Sequence, residues 1–216
     1  MAQVTLRASA TTAFTAATSV VCAKPTGTVD DDVMWATITC DDEGSGVGTI
    51  TVPSGWTEID RNASGNARLY QKRAASEGAD YTWSSTLTQG WRVIISAWYN
   101  AVTTGDFWEP STVPETTGTD ATIEHASVTV SRDLSELVLA NRRAGNDAVT
   151  DYGGTTLVVK VSAILQTRKD VSAGASGVLT VTFANSAAWS SWMVALMPPA
   201  SATVRPRSLL MTGMGS

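Results

Sequence analysis

The sequence predicts an all-β protein: a two-sheet antiparallel β-sandwich, jelly-roll-like, over residues 1–200, followed by an extended C-terminal arm at 201–216. Three observations predict it. Apolar and polar residues alternate at period two over many short segments. Gly, Asn, Asp and Pro punctuate the gaps between those segments. No segment holds an i, i+3, i+4, i+7 pattern beyond about two turns, so long helices are not expected.

Candidate strands open at 4–7, 19–24, 33–40, 49–52, 56–60, 67–73 and 81–84. Residues 72–78 have room for one helical turn before the last of these. Trp91, Val93, Ile95, Ala97 and Tyr99 then share one face, with Arg92 and Ser96 between them. Further strands are expected at 126–130 and 136–141. From Leu157 the odd positions Leu157, Val159, Val161, Ala163 and Leu165 form an apolar face opposite Lys160, Ser162 and Gln166. Leu179, Val181 and Phe183 repeat that pattern against Thr180 and Thr182, and 192–197 closes the set. Residues 103–122 are rich in Thr, Pro and Gly. They read as a crossover between two sheets, the alternative being a linker that splits the chain into two lobes.

Pro198 and Pro199 end the last strand. The arm beyond them carries Val204, Arg205, Pro206, Arg207, Leu209, Leu210 and Met211. Its prolines favour an extended backbone, and its apolar cluster gives it something to bury against a partner.

Composition excludes several functions. The chain has 216 residues, 43% hydrophobic and 16% charged, with a formal net charge of −5. The charged share is below the roughly 25% of ordinary soluble domains, and Ser and Thr fill about a quarter of the chain. Binding to nucleic acid needs clustered Lys and Arg, which are missing. No apolar run approaches the roughly 18 residues of a membrane span, so membrane insertion is not expected. The N-terminal stretch is broken by Thr11, Thr12, Thr15 and Thr18 and lacks the apolar centre of a secretory signal, so synthesis and assembly in the cytoplasm are expected. With one histidine, His125, no multi-histidine metal site can form, and a Ser–His–Asp triad would have to use that residue.

Several local patterns have a plain structural reading. Gly44-Ser-Gly-Val-Gly48 looks like a phosphate loop, but a β-prone run follows it, so a flexible hairpin loop is expected. Asp30-Asp31-Asp32 and Asp41-Asp42-Glu43 lack the spacing of a calcium loop and read as solvated turns. His125 reads as a surface or edge-strand histidine. Cys22 and Cys40 flank a turn near Gly27. A simple hairpin there leaves them out of register, so free buried thiols are expected. Asn62-Ala-Ser64 matches a glycosylation sequon, which carries no meaning without secretion. Among the eight tryptophans, Trp35, Trp91, Trp98 and Trp192 lie in apolar strands and read as core. Trp56, Trp83, Trp108 and Trp189 sit nearer turns and are the candidate glycan-stacking aromatics.

Several stretches resemble β-sandwich accessory proteins of tailed-phage virions, of the minor tail or head-decoration type. The pattern runs Lys24-Pro25-Thr-Gly27 into Asp32-Val33-Met34-Trp35-Ala36, then Val52-Pro53-Ser54-Gly55-Trp56-Thr57-Glu58-Ile59. Leu69-Tyr70-Gln71-Lys72-Arg73-Ala74 with Glu77 follows, then Asp80-Tyr81-Thr82-Trp83 and the strand into Asn100-Ala101-Val102. A looser second half includes Ser135–Ala140 and Trp192–Pro198. The likeness covers about residues 20 to 198, densely to 102. The chain departs from it at Asp31, where the pattern usually has Gly, and at Asp80, where Pro or Ser is common.

The resemblance implies a non-enzymatic virion protein on the outside of the particle, as capsid decoration or minor tail component. Its expected partners are other virion proteins and copies of itself, with no cofactor and no metal. The rival expectation is a carbohydrate-binding module contacting host glycans through the turn-proximal tryptophans. An esterase or glycosidase ranks last, because most acidic residues sit in turns and no nucleophile motif is present.

Overall fold

A computed structural model describes residues 2–41, 48–109, 115–145, 147–161 and 164–200. The described residues form strands and turns and no helix. The first half contributes β1 (Thr5–Ala23), β2 (Val33–Asp41), β3 (Ile50–Thr51), β4 (Thr57–Arg61), β5 (Ala67–Arg73) and β6 (Asp80–Tyr99). They make one antiparallel sheet in the order β1-β6-β2-β5-β4, with β3 paired to the early part of β6.

The second half contributes β7 (Trp108–Glu109), β8 (Thr116–Gly118), β9 (Thr122–His125), β10 (Thr129–Val130), β11 (Ser135–Arg143) and β12 (Val149–Asp151). β13 (Thr156–Val161), β14 (Ile164–Val171), β15 (Gly174–Ala175), β16 (Leu179–Phe183) and β17 (Trp189–Leu196) complete it. Its main sheet runs β13-β14-β11-β17-β7, with β8 also on β17. Two small sheets, β12-β16-β9 and β10-β15, take the remaining strands. The chain passes from the first large sheet to the second between Tyr99 and Trp108, and β7 and β8 then line the edge of β17.

Register decides which side chains meet. Val33 lies opposite Trp98, Trp35 opposite Ser96 and Thr37 opposite Leu69, so these side chains share one face of the first sheet. Val33, Trp35, Leu69 and Trp98 pack on Val138, Ala140, Trp192, Val194 and Leu196 of the second sheet. This is the sandwich core. Two polar links cross it: Gln166 Nε2 donates to Thr37 Oγ1 at 2.8 Å, and Trp192 Nε1 donates to Asp60 Oδ2 at 2.8 Å.

Both outer faces are covered as well. β1 and β6 form a long two-stranded ribbon whose register shifts between Thr12 and Thr15 and between Ala17 and Ser19. Such irregularities bend a ribbon. Its far end brings Val20, Cys22, Tyr81 and Trp83 onto Met34, Ala36, Ile38 and Tyr70, with Trp56 beside them. Trp91 Nε1 donates to the Ala17 carbonyl at 2.9 Å and ties the bend. On the outside of the second sheet, Leu137, Leu139, Met193 and Ala195 lie with Val128, Val130 and Leu179. Leu165 and Trp189 lie with Ile123, Val181 and Phe183. The sandwich therefore carries a further layer on each side.

Several expectations are corrected. β1 and β6 are single long strands where two short ones were expected in each. The stretch read as one strand from Leu157 to Leu165 is the β13–β14 hairpin. A register shift between Leu157 and Val159 exposes Leu157 and packs Val158 inward, so the expected apolar face is out of phase. Residues 74–79 form no helical turn; Ser76 adopts φ 52° there and the segment is irregular. Cys22 and Cys40 are buried and share no disulfide, as expected, for a different reason. β1 and β2 do not pair; each lies against β6, Cys22 opposite Tyr81 and Cys40 opposite Trp91. Burial pushes the Cys22 thiol up to about 12.

Candidate functional site

The four turn-proximal tryptophans were the sequence's best ligand aromatics. Trp56, Trp83 and Trp189 are at most 7% exposed. A sugar needs an open indole face, and these three offer none. Trp56 is turned inward by the Pro53–Trp56 turn, closed by Trp56 N donating to Pro53 O at 3.3 Å with Gly55 at φ 82°. Its ring meets Tyr81 edge-on at 5.2 Å and Trp83 at 5.6 Å. Trp189 lies directly on Gly118, where a Cβ would overlap the indole, and its Nε1 donates to Asp120 Oδ1 at 3.2 Å. Trp108 is partly buried, edge-on to Trp35 at 6.3 Å. Burial thereby corrects three of the glycan-stacking candidates, Trp56, Trp83 and Trp189, whose turns further layers cover. Trp35, Trp91, Trp98 and Trp192 are core, as expected.

A cleft of about 350 Å³ opens between the 62–64 loop, Glu115, Gly118, Arg142 and Ser190. Burial raises the Glu115 carboxyl above its ordinary range; Ser190 and the Ala63 amide oppose this, and Asp60 adds to it. A hydroxyl beside a carboxyl resembles a nucleophile and its base, but no imidazole stands by to take the proton. The lone histidine belongs to the outer layer on the other face of the second sheet, against the Leu179 carbonyl. The cleft can hydrogen-bond a polar group; it shows no arrangement for acyl transfer. Sequence reading missed it because its walls come from four separate segments with no shared motif.

The loop beside the cleft explains the sequon. Asn62 is 5% exposed, donates from Nδ2 to Asn66 Oδ1 at 2.8 Å, and accepts from Ala67 N at 3.0 Å. It braces the β4–β5 turn.

Two titratable groups, His125 and Glu136, are buried in the second half of the chain. His125 is on an edge strand but fully buried, which corrects the surface reading. Its Nδ1 lies 3.3 Å from the Leu179 carbonyl oxygen, and Asn141 is adjacent. Burial lowers its pKa to about 4, so it is neutral at pH 7. Glu136 is also buried; burial, and then Asp170, raise its carboxyl, while Arg168 at 3.3 Å opposes. Asp170 is lowered, its hydrogen bond to Glu136 being the largest cause.

The acidic run at 30–32 is a turn, but a paired one. Asp30 Oδ1 accepts from Ser76 N at 2.7 Å, and buried Asp32 takes both a 2.9 Å bond from Arg7 and a 3.0 Å bond from Val29 N. Asp32 corrects the expectation of solvated carboxylates. Among the described residues no three His, Cys, Asp or Glu side chains come together to hold a metal ion. No helix among them is long and apolar enough to cross a membrane. The arm residues Val204, Arg205, Pro206, Arg207, Leu209, Leu210 and Met211 lie outside the described residues, as do 44–47 of the glycine loop.

No family model, curated protein or solved structure matches the chain.

Proposed function

We propose that this chain is a non-enzymatic structural component of a tailed-phage particle, assembled in the host cytoplasm and attached outside as capsid decoration or minor tail protein. It would contact other virion proteins and copies of itself. One observation carries the reading: the stretches that bear the resemblance meet at one interlocked junction. Lys72 Nζ donates to the Ser54 carbonyl at 3.0 Å and pairs with Glu77 at 2.8 Å. Tyr81 OH donates to Glu77 at 2.8 Å, and Trp56 stacks edge-on against Tyr81. Asp31, which stands where the pattern has Gly, adopts φ 70°. That is a conformation glycine enters freely and other residues rarely. The pattern thus specifies turns and packing, which suits a scaffold whose work is burial and adhesion. The glycan-binding rival loses three of its four tryptophans, Trp56, Trp83 and Trp189, to burial.

Quantitative mass spectrometry of gradient-purified particles tests the proposal. Peptides of this chain should appear at a fixed ratio to the major capsid or tail protein, and gold-labelled antibody should mark the outside of the particle. Absence from particles, or polysaccharide turnover that disappears in Glu115→Gln, would overturn it.

A further inference from the structure

The gap between the two large sheets opens at one end. Trp192, Val194 and Leu196 of β17 face the sandwich core, and strand alternation turns Ser190 the same way. Arg142 lies opposite Ser190 in β11 and Thr117 lies opposite it in β8, so all three line the second sheet's side of the gap. The first sheet supplies the other side through Ala63 and Ser64 of the β4–β5 turn. Together with Glu115 they enclose the cleft of about 350 Å³, near the lower end of the size range of small-molecule sites.

One atom of this wall is unsatisfied. Ser190 and the Ala63 amide hydrogen-bond the Glu115 carboxyl, yet its buried Oε1 has no hydrogen-bond partner among the described residues. The carboxyl therefore keeps acceptor capacity that the protein itself does not use. Native proteins leave few such atoms, and each asks for a cause.

The lining decides the class of ligand. Glu115 and Arg142 bring one acid and one base, so no surplus charge selects an ion. Behind the 62–64 turn, Arg61 and Arg68 are already paired with Glu58. An aromatic ligand would need a ring face to stack on, and Trp189 is 5% exposed with Gly118 against its indole. What the cleft offers is hydroxyl groups around a carboxyl, beside the small apolar side chains of Ala63 and Ala188. That mixture suits a molecule with many hydroxyls and one C–H face.

We propose that this cleft binds one neutral sugar ring, with Glu115, Ser190 and Thr117 taking its hydroxyls and Ala63 and Ala188 lying against its C–H face. The inference goes beyond the assembly reading and does not depend on it, because binding is measured on the purified chain away from any particle. It uses none of the faces of the buried tryptophans. No bond breaks: without an imidazole in the cleft to move a proton, the sugar leaves unchanged.

Ligand-observed NMR of the full chain with the methyl glycosides of glucose, galactose, mannose and N-acetylglucosamine tests this. At least one should bind saturably, with a dissociation constant of about 0.1–10 mM. Ala188 is exposed, so Ala188→Phe should fill the cleft without disturbing the core and should raise that constant at least about tenfold. Glu115→Ala should weaken binding by a similar factor, with near-ultraviolet circular dichroism like the parent's showing that both variants are folded. A trisaccharide ending in the same sugar separates two sources: equal affinity marks a glycan terminus and loss of binding marks a free sugar, and the site stands in either case. Absence of saturable binding by all four glycosides up to about 50 mM overturns the proposal. So does binding that Ala188→Phe leaves intact, or a cleft that takes acetate or inorganic phosphate in preference to every glycoside.

Discussion

Gly118 shows how a single residue fixes its cross-strand neighbour. It lies opposite Trp189 in the β8–β17 ladder, and a Cβ at 118 would overlap the indole. The absence of a side chain lets Trp189 lie flat on the strand, reach Asp120, and close cluster contacts with Val181 and Phe183. Gly118→Ala should therefore destabilise the protein by about 1–3 kcal/mol, the usual cost of overpacking. Gly78 has nothing within 4 Å of a built Cβ, so Gly78→Ala should change stability by no more than about 0.5 kcal/mol. Urea unfolding of the two variants checks this. Equal midpoints would mean that Trp189 moves aside freely.

At the scale of elements, legibility followed contrast. β16 was readable because large apolar residues alternate with polar ones, and β2 and β11 because each carries a short apolar run, Val33–Ala36 and Leu137–Ala140. β1 was not read whole: Ala, Thr and Ser fill its middle, and such residues differ too little in hydropathy to mark a face. The β13–β14 hairpin was misread because the sequence between Val161 and Ile164 contains neither Gly nor Pro, so the alternation runs straight through it. The turn tryptophans were misjudged because periodicity reports one strand's faces and cannot report a second layer above the turn. The β5–β6 junction holds that layer in place, with Glu77 taking Lys72, the Ala75 amide and Tyr81. Burial works against the Glu77 charge, but these three donors outweigh it and hold its carboxyl below the ordinary range. A lowered carboxyl stabilises above its unfolded pKa and loses that contribution as pH falls through the folded value. Glu77→Gln should thus cost about 1–3 kcal/mol at pH 7, with the gap to the parent narrowing as pH falls below the range of an ordinary carboxylate. A gap independent of pH would show that shape, and not charge, matters at 77.

For the whole molecule, the layers differ in strength. The sandwich core is built mostly from strands of five to twenty residues, whereas the outer layer over the second sheet is built from strands of two to five. Short strands with few neighbours open locally at lower cost than long central ones. His125 belongs to this weak layer, at the end of β9, its ring against Leu179 and Asn141, with the Ser191 hydroxyl donating to the adjacent Glu124 carbonyl. Its folded pKa of about 4 lies below the ordinary 6.5. Between those values the opened chain binds a proton that the closed layer refuses. The layer's stability is therefore complete above about pH 6.5 and declines as pH falls toward 4, by on the order of 3 kcal/mol in total. Opening β9, β12 and β16 alone is enough to solvate the ring, so acid acts on this layer before it acts on the core. Hydrogen exchange compared as protection factors at pH 7 and pH 4.5 should show 122–125 and 179–183 losing at least about tenfold more protection than β2 and the second half of β6. His125→Gln should abolish the difference. Uniform loss across all sheets, or an unchanged pattern in that variant, would mean that the layers unfold as one unit and the histidine does not gate them.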